Sequence, residues 1–436
     1  MTNPCHSIIE RTIKVNVGSI IKYYRTKKGL TQTELAEGIC STSHLSKIET
    51  NMYTANEDTL NMLLKRLNLR LEEEHSRMKE LHDLLHDFIF SIFMHDGDRA
   101  DILFNEIIQK HDYMETSDYV NLYHLYIYRY YCWKKSHDKV KETLKVIQRI
   151  KTTFTSVEKN IYVIFKAINA SIENDSEAAI RLITEFLQNP LPLGRFWIGE
   201  AYYLLSHSHS RLNQPEAGVM FGKKAYEIFE DDSNWIRIIY VQMILGINYM
   251  KLRLFSEANA IYEPLLRNTR LFFKDKFYPH TLVNYARCLL QSKEYIRSKK
   301  MFEEALSVLP PGSDYYAVAL LGWIEIGYRT NHTTQEWEGK LQQLHDISLN
   351  LEGKFFFHYA VFYKKSQFSQ VEGTKYAIKW LYPYLIKNSY YDEAREIVQE
   401  IIDYYSGEND IVNAKHYYDQ WRRLVEKERM YNEEAY

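Results

Sequence analysis

Three stretches in the middle of the chain repeat one another. AYYLLSHSHSRLNQPEAGVMFGKKAYEIF (201–229), MILGINYMKLRLFSEANAIYEPLL (243–266) and VNYARCLLQSKEYIRSKKMFEEALSVLP (283–310) align in one register. The self-similarity reads as a period of about 34 residues, one helical hairpin per repeat. Small residues recur at Ser206, Gly246 and Ala286, where one helix must approach its partner closely. They recur again at Gly218, Ala258 and Ser298, where the second helix crosses the first. Bulky Tyr262 and Phe302, then Ala225 and Ala305, fill the remaining contacts, and Pro310 ends a repeat. Such a hairpin cannot bury its apolar face alone, so neighbours must stack into one continuous core with a concave groove. Only 9 Pro and 16 Gly interrupt the 436 residues, which suits long helices joined by short turns. The 36 Tyr supply broad packing surfaces that end in a polar tip.

This pattern is similar to the tetratricopeptide repeat. Weaker copies fall at 161–188 (Ala167, Ala179), 354–387 and 396–424 (Ala414, Tyr418). Degenerate copies at 84–110, 117–150 and 315–346 bring the array to about nine hairpins over residues 79–430.

The N-terminal part has another grammar. Val17, Ile20, Ile21 and Tyr24 share one face of a helix that ends near Gly29. Thr31 and Glu34 form a capping box for a second, short helix that buries Leu35 and Ala36. Gly38 supplies the turn. Ser41 or Ser43 caps a third helix with Leu45 and Ile48 inward, Asn51 closes it, and Asn56 or Asp58 opens a fourth. Helix, tight turn, helix is the geometry of a DNA-reading unit. Thr42, Ser43, His44 and Lys47 then point outward with side chains suited to base edges and phosphates. Gln32 begins the second helix, where it can join the amides at a phosphate. Charge agrees: residues 1–70 carry ten Lys/Arg against six acids, a balance of +4 in a chain of net charge −2.

The run Gly18, Arg25, Gly29-Leu30-Thr31-Gln32, Leu35-Ala36, Gly38, then Ser41, Ser43 and Leu45-Ser46-Lys47-Ile48-Glu49 resembles the Xre/Cro family of helix-turn-helix domains. The resemblance implies DNA contacts from Gln32, Thr42, Ser43, His44 and Lys47, and a bracing pair of Arg25 with Glu49. Asn51 stands where that family usually has glycine. The domain is expected over 17–69, after an N-terminal extension (1–16) and before a linker (70–78).

In the repeats, one face of each first helix lines the groove. In the aligned register it carries Tyr203, His207 and Arg211, then Tyr240, Met243, Ile247 and Lys251, then Asn284, Arg287 and Gln291. An Asn amide can bond both groups of an extended peptide backbone, Arg can take a carboxylate, and Met and aromatic residues can take apolar side chains. An Xre-type head followed by such repeats resembles the RRNPP group of peptide-pheromone receptors, closer to its longer NprR-like members than to PlcR-like ones. The resemblance implies a short signalling peptide in the groove and DNA binding or oligomeric state switched by it. Asn284 matches the position of the family's peptide-clamping Asn, whereas Leu204 and Ile244 stand at the equivalent neighbouring positions.

Other chemistry finds little support. His82 and His86 have helical spacing in LHDLLHD, but Asp83 replaces the glutamate of a zinc-protease motif, so a solvent-facing pair is expected. HDGDRAD (95–101) has too few oxygen ligands for a calcium loop. No phosphate-loop, dinucleotide or nucleophile-elbow motif occurs. Cys5, Cys40, Cys132 and Cys288 are scattered, as suits a reducing compartment. The first residues lack the long apolar run of a signal peptide, and no stretch is long and apolar enough to span a membrane.

The expectation is therefore an all-α chain: a helix-turn-helix domain followed by a right-handed tetratricopeptide-repeat superhelix. It is expected to be a cytoplasmic, non-enzymatic transcriptional regulator without a cofactor. Its expected partners are double-stranded operator DNA, a signalling peptide and a second copy of itself, since two half-sites multiply the specificity of one small reader. A Rap-like protein that sequesters or dephosphorylates a response regulator is the rival reading.

Overall fold

Short polar residues punctuate the N-terminal helices. The computed structural model describes residues 17–188, 194–388 and 390–433, and these are helical with connecting turns. The expected extension over 1–16, with Cys5, lies outside the described residues. Helix α1 (Val17–Lys27) ends just before Gly29, which takes φ 70°. Thr31 and Glu34 make the reciprocal capping box of α2 (Gln32–Ala36). Ser41 caps α3 (Thr42–Glu49) and Asn56 caps α4 (Glu57–Arg66). Asn51 adopts φ 55° and occupies the left-handed position directly. Ile21, Leu35, Ala36, Leu45, Ile48, Leu63 and Leu64 form the core of this head. Each large apolar side chain so buried contributes roughly 1.5–3 kcal/mol. A Cβ on Gly18 would lie 2.0 Å from the Ile48 carbonyl oxygen, so only glycine lets α1 meet α3 this closely.

The rest of the chain is a succession of helix pairs. They are α5 (Leu71–Phe93) with α6 (Gly97–Gln109), then, after the single turn α7 (His111–Met114), α8 (Val120–Trp133) with α9 (His137–Ile150). Next come α10 (Ser156–Ile172) with α11 (Ser176–Gln188), and α12 (Arg195–Arg211) followed by α13 (Pro215–Asp231). The series continues with α14 (Trp235–Lys251) and α15 (Phe255–Phe272), α16 (Tyr278–Gln291) and α17 (Tyr295–Val308), and α18 (Asp314–Arg329) and α19 (Gln335–Ser348). Helix α20 (Phe355–Phe368) packs against α21 (Gln370–Tyr376), which runs through a π turn into α22 (Tyr382–Lys387). The last pair is α23 (Tyr391–Gly407) and α24 (Ile411–Glu433). The chain forms two compact units, Met1–Ala201 and Tyr202–Tyr436.

A recurring turn corrects the repeat length. Left-handed residues stand between the paired helices at His95, Lys135, Asn174, Asn213, Arg253, Lys293, Asn331 and Asn409. The first seven are spaced 38 to 40 residues apart, not about 34. The extra length is in the helices, which reach 17 or 18 residues in α12 to α15. After each of these residues the next amide bonds a carbonyl five positions back, as in Gln214 to His209, Leu254 to Tyr249 and Glu294 to Leu289. These are Schellman closures, and they stop each first helix at the same point.

The small residues sit at helix crossings. The Ser206 hydroxyl donates to the Gly218 carbonyl at 2.7 Å, and the Ser298 hydroxyl to the Ala286 carbonyl at 2.7 Å, the same contact made from opposite helices. Gly246 lies against the Tyr262 ring, where a Cβ would come within 2.5 Å of Cζ. The histidine pair differs from expectation. His86 is buried and stacks with His82 at 6.4 Å, because that face of α5 packs inward, with Tyr119 against His82.

Candidate functional site

The outer face of α3 is the first candidate surface. Thr42, Ser43 and Lys47 are exposed and His44 is half-buried, its ring 4.7 Å from that of Tyr53. Beneath them Glu49 is buried and accepts from three donors. Arg25 gives Nε at 2.6 Å and Nη2 at 3.0 Å, and Gln32 gives Nε2 at 2.8 Å. The hydrogen bonds to Glu49 raise the Arg25 pKa above its ordinary value, so the guanidinium stays charged. Gln32 is thus fastened to the brace as well as placed at the start of α2. That second engagement was not visible in the sequence.

Within the first unit the head is tied to the first hairpin through Glu74 of α5. This carboxylate is buried and accepts from the Tyr24 hydroxyl at 3.1 Å, the Tyr113 hydroxyl at 2.5 Å and Arg77 Nη1 at 2.7 Å. Tyr23 packs edge-on against Tyr24 and Tyr113, with centroids 5.0 and 5.2 Å away. Burial, then the Glu74 charge, pushes the Tyr24 hydroxyl up to about 12, so it remains a donor at neutral pH.

The second unit holds the other candidate. Helices α14, α16 and α18 lie side by side, and side-chain ion pairs join α23 to them. Lys251 reaches Asp392 at 2.7 Å, Arg287 reaches Glu393 at 3.8 Å, and Arg329 reaches Glu396 at 3.7 Å. Three rungs of opposite charge thus span a groove between the first helices of three hairpins and one later helix. Lys251 also donates to the Ser210 carbonyl at 2.9 Å, so its ammonium is fully engaged. Asn284 is nearly buried and hydrogen-bonds Tyr315, whose ring meets His280 at 4.2 Å. Tyr203 and Tyr240 clasp the Arg237 guanidinium, 4.7 and 5.2 Å from their ring centroids. Burial, then Arg211, pulls His207 down to about 4, which leaves its imidazole neutral. Ile247 and Gln291 are half-buried. Met243 is placed instead in a core cluster with Tyr262, Tyr285 and Cys288, because that side of α14 meets α15 and α16.

The acidic wall was missed in the sequence. Asp392, Glu393, Glu396 and Glu400 lie at helical spacing along YDEAREIVQE, a stripe that reads equally well as a solvated face. Burial, then the Glu325 charge, pushes the Glu396 carboxyl up to about 8. Burial, with Glu325 outweighed by Arg329, leaves Glu400 at about 7. Glu396 is reached by water yet is walled by protein, and poor solvation raises its pKa. Among the described residues no group of three or more His, Cys, Asp or Glu is placed to hold a metal ion. No helix among them is long and apolar enough to cross a membrane.

Comparison with known proteins bears on both regions. Residues 21–73 match the family described as Helix-turn-helix. Over 230 residues, 52% of this chain, the sequence is 24% identical to the transcriptional activator NprA of Geobacillus stearothermophilus. That match spans 56% of the relative, little more than half its length. A Rap protein solved with competence and sporulation factor superposes with TM-score 0.67 at 13% identity, over 81% of this chain and 99% of that one. NprR in complex with its cognate peptide NprX superposes with TM-score 0.62 at 16% identity, over 79% and 99%. The repeat region therefore has the tetratricopeptide-like fold of the Rap and NprR structures, preceded by a helix-turn-helix domain.

Proposed function

We propose that the chain is a peptide-responsive transcriptional regulator of the RRNPP type. The observation that carries this reading is the pairing, in one polypeptide, of an exposed polar helix on a braced helix-turn-helix with a repeat groove crossed by ion pairs. In this reading Thr42, Ser43 and His44 meet base edges, and Lys47 and Gln32 meet phosphates. Arg25 and Glu49 hold α3 at a fixed angle. Two copies read a two-fold-related operator, as short recognition helices commonly do.

The groove takes a short extended peptide. Asn284 offers backbone hydrogen bonds, Tyr203, His207 and Tyr240 offer surface, and Arg211, Lys251, Arg287 and Gln291 offer polar contacts. Lys251, Arg287 and Arg329 already have carboxylate partners, so an occupant must exchange those pairs for its own charges. Such an exchange alters how α23 is held, and this is how occupancy changes DNA binding. The test is selection of operator DNA from a random pool by the full chain, followed by titration at several salt concentrations. A specific complex whose affinity falls steeply with salt supports the reading. Absence of any sequence-selective complex at low salt overturns it.

A further inference from the structure

One exposed aromatic side chain stands beside the reading helix. Tyr53 is 50% exposed, and its ring lies 4.7 Å from that of His44 at an interplanar angle of 64°. The loop that carries it is pinned at several points. Asn51 closes α3 in the left-handed conformation, and its side-chain amide donates to the Ser19 hydroxyl at 3.1 Å. The amides of Met52 and Tyr53 both donate to the Lys47 carbonyl, at 2.9 and 3.3 Å. Ala55 then enters the core of the head. The Tyr53 backbone is thereby held against Lys47, one turn along α3 from His44. Among the described residues neither ring nitrogen of His44 has a hydrogen-bond partner, and the Tyr53 hydroxyl has none. Resting on the DNA-reading function proposed above, we infer that Tyr53 is a positioning residue. Its ring holds the His44 imidazole in one orientation, so that a ring N–H reads a guanine in the operator half-site.

The argument is one of prior order. An imidazole on an exposed helix face turns between staggered rotamers, and a side chain ordered only on binding weakens the complex. An aromatic neighbour in the edge-on geometry that ring quadrupoles favour removes the alternatives before DNA arrives. Ordering one such side chain beforehand is worth roughly twofold to tenfold in affinity. The benefit is selective, because a freely turning imidazole can follow acceptors of several bases while a fixed one cannot. In the major groove guanine presents two neighbouring acceptors, N7 and O6, whereas adenine sets a donor beside its N7. A fixed N–H therefore finds an acceptor at guanine over the widest range of docking angles. The ring of Tyr53 does this work without its hydroxyl.

The test is selection of operator DNA from a random pool by the full-length protein and its variants, with base preference read by sequencing at each position. The wild type should show one guanine position per half-site, preferred by about fivefold or more, and His44→Ala should lose that position alone. Tyr53→Phe keeps the ring and should keep the preference. Tyr53→Ala should cut it by about threefold, the loss expected for one side chain left to be ordered on binding. Preferences elsewhere in the half-site, and the slope of log affinity against log salt, should stay as in the wild type. The His44→Ala/Tyr53→Ala double variant should lose no more than His44→Ala, the mark of a residue that acts through another. Urea denaturation checks the fold of each variant, and should Tyr53→Ala unfold, Tyr53→Leu carries the same test. An unchanged guanine preference in Tyr53→Ala, or an equal loss at every position, would overturn the positioning role and leave DNA reading standing. So would a half-site with no position that depends on His44, or a Tyr53→Phe variant that behaves like Tyr53→Ala. No sequence-selective complex with any of these proteins would overturn both.

Discussion

Removing the Glu74 carboxylate should release the helix-turn-helix head from the first hairpin. The buried carboxylate accepts from two phenols and a guanidinium, so Glu74→Ala leaves Tyr24, Tyr113 and Arg77 without their shared acceptor. Tyr24 and Arg77 lie near enough to the surface to turn toward water, whereas the Tyr113 hydroxyl has less recourse. Hydrogen bonds to a charged group are each worth about 1.5–3 kcal/mol, and breaking such a cluster from one side costs about 3–4 kcal/mol in total. In a unit of this size each kcal/mol lowers the melting temperature by roughly 2–4 °C, so the first unit should melt roughly 6–16 °C lower. Glu74→Gln keeps the shape and an acceptor oxygen for the tyrosines, and should lose about half as much. Differential scanning calorimetry reads the shift, and limited proteolysis between α4 and α5 reads the release. A Glu74→Ala protein that melts within about 2 °C of wild type and resists proteolysis equally would refute the reasoning.

Other consequences follow from the same geometry. Glu49→Gln removes the charge that Arg25 and Gln32 both bind; it should destabilise the head by about 2–3 kcal/mol, seen by urea denaturation, and weaken operator binding. Gly322→Ala should destabilise the second unit by about 1–3 kcal/mol despite its better helix propensity, because the new Cβ would lie 2.3 Å from Cζ of the buried Phe302 ring. The carboxyls of Glu396 and Glu400, near 8 and 7, lie above the ordinary carboxylate value, so the folded state holds more protons than the unfolded chain between about pH 5 and 8. Their contribution to stability is therefore present at the acid end and lost as pH rises through 7 and 8. Groups facing them include Glu325, Arg329, Glu393, Asp392 and Asp403, and the Glu396→Gln/Glu400→Gln variant should flatten the dependence measured by thermal melts. Lys47→Ala should lower operator affinity while reducing the slope of log affinity against log salt by about 1, the mark of one lost phosphate contact.

The head was legible because its signals are local. Capping residues, Gly29 and Gly38 each specify a backbone conformation within a few positions, and Thr31, Ser41, Asn56 and Asn51 act as their types imply. The repeats were legible through small residues at crossings, but their length was not. Lys135, Arg253 and Lys293 occupy left-handed turns where glycine or asparagine would have announced the period. The groove was half legible. Its first-helix face follows from register, whereas the facing α23 is set by how the hairpins stack, and no local pattern ties Asp392 to Lys251 across 141 positions. Glu74 was hidden for the same reason: in LEEEHSRMKE it looks like one acid among four, and only packing selects it.

The central claim is that one chain couples a DNA-reading helix to a ligand groove. The most direct measurement is the dissociation constant of the full-length protein for its selected operator, by fluorescence anisotropy, with and without a saturating short peptide that the protein retains from a random-sequence pool. Coupling predicts a change of fivefold or more in either direction, on the order of 1 kcal/mol, and the same factor in peptide affinity when operator is present. An operator affinity unmoved by a peptide that demonstrably fills the groove would contradict the account.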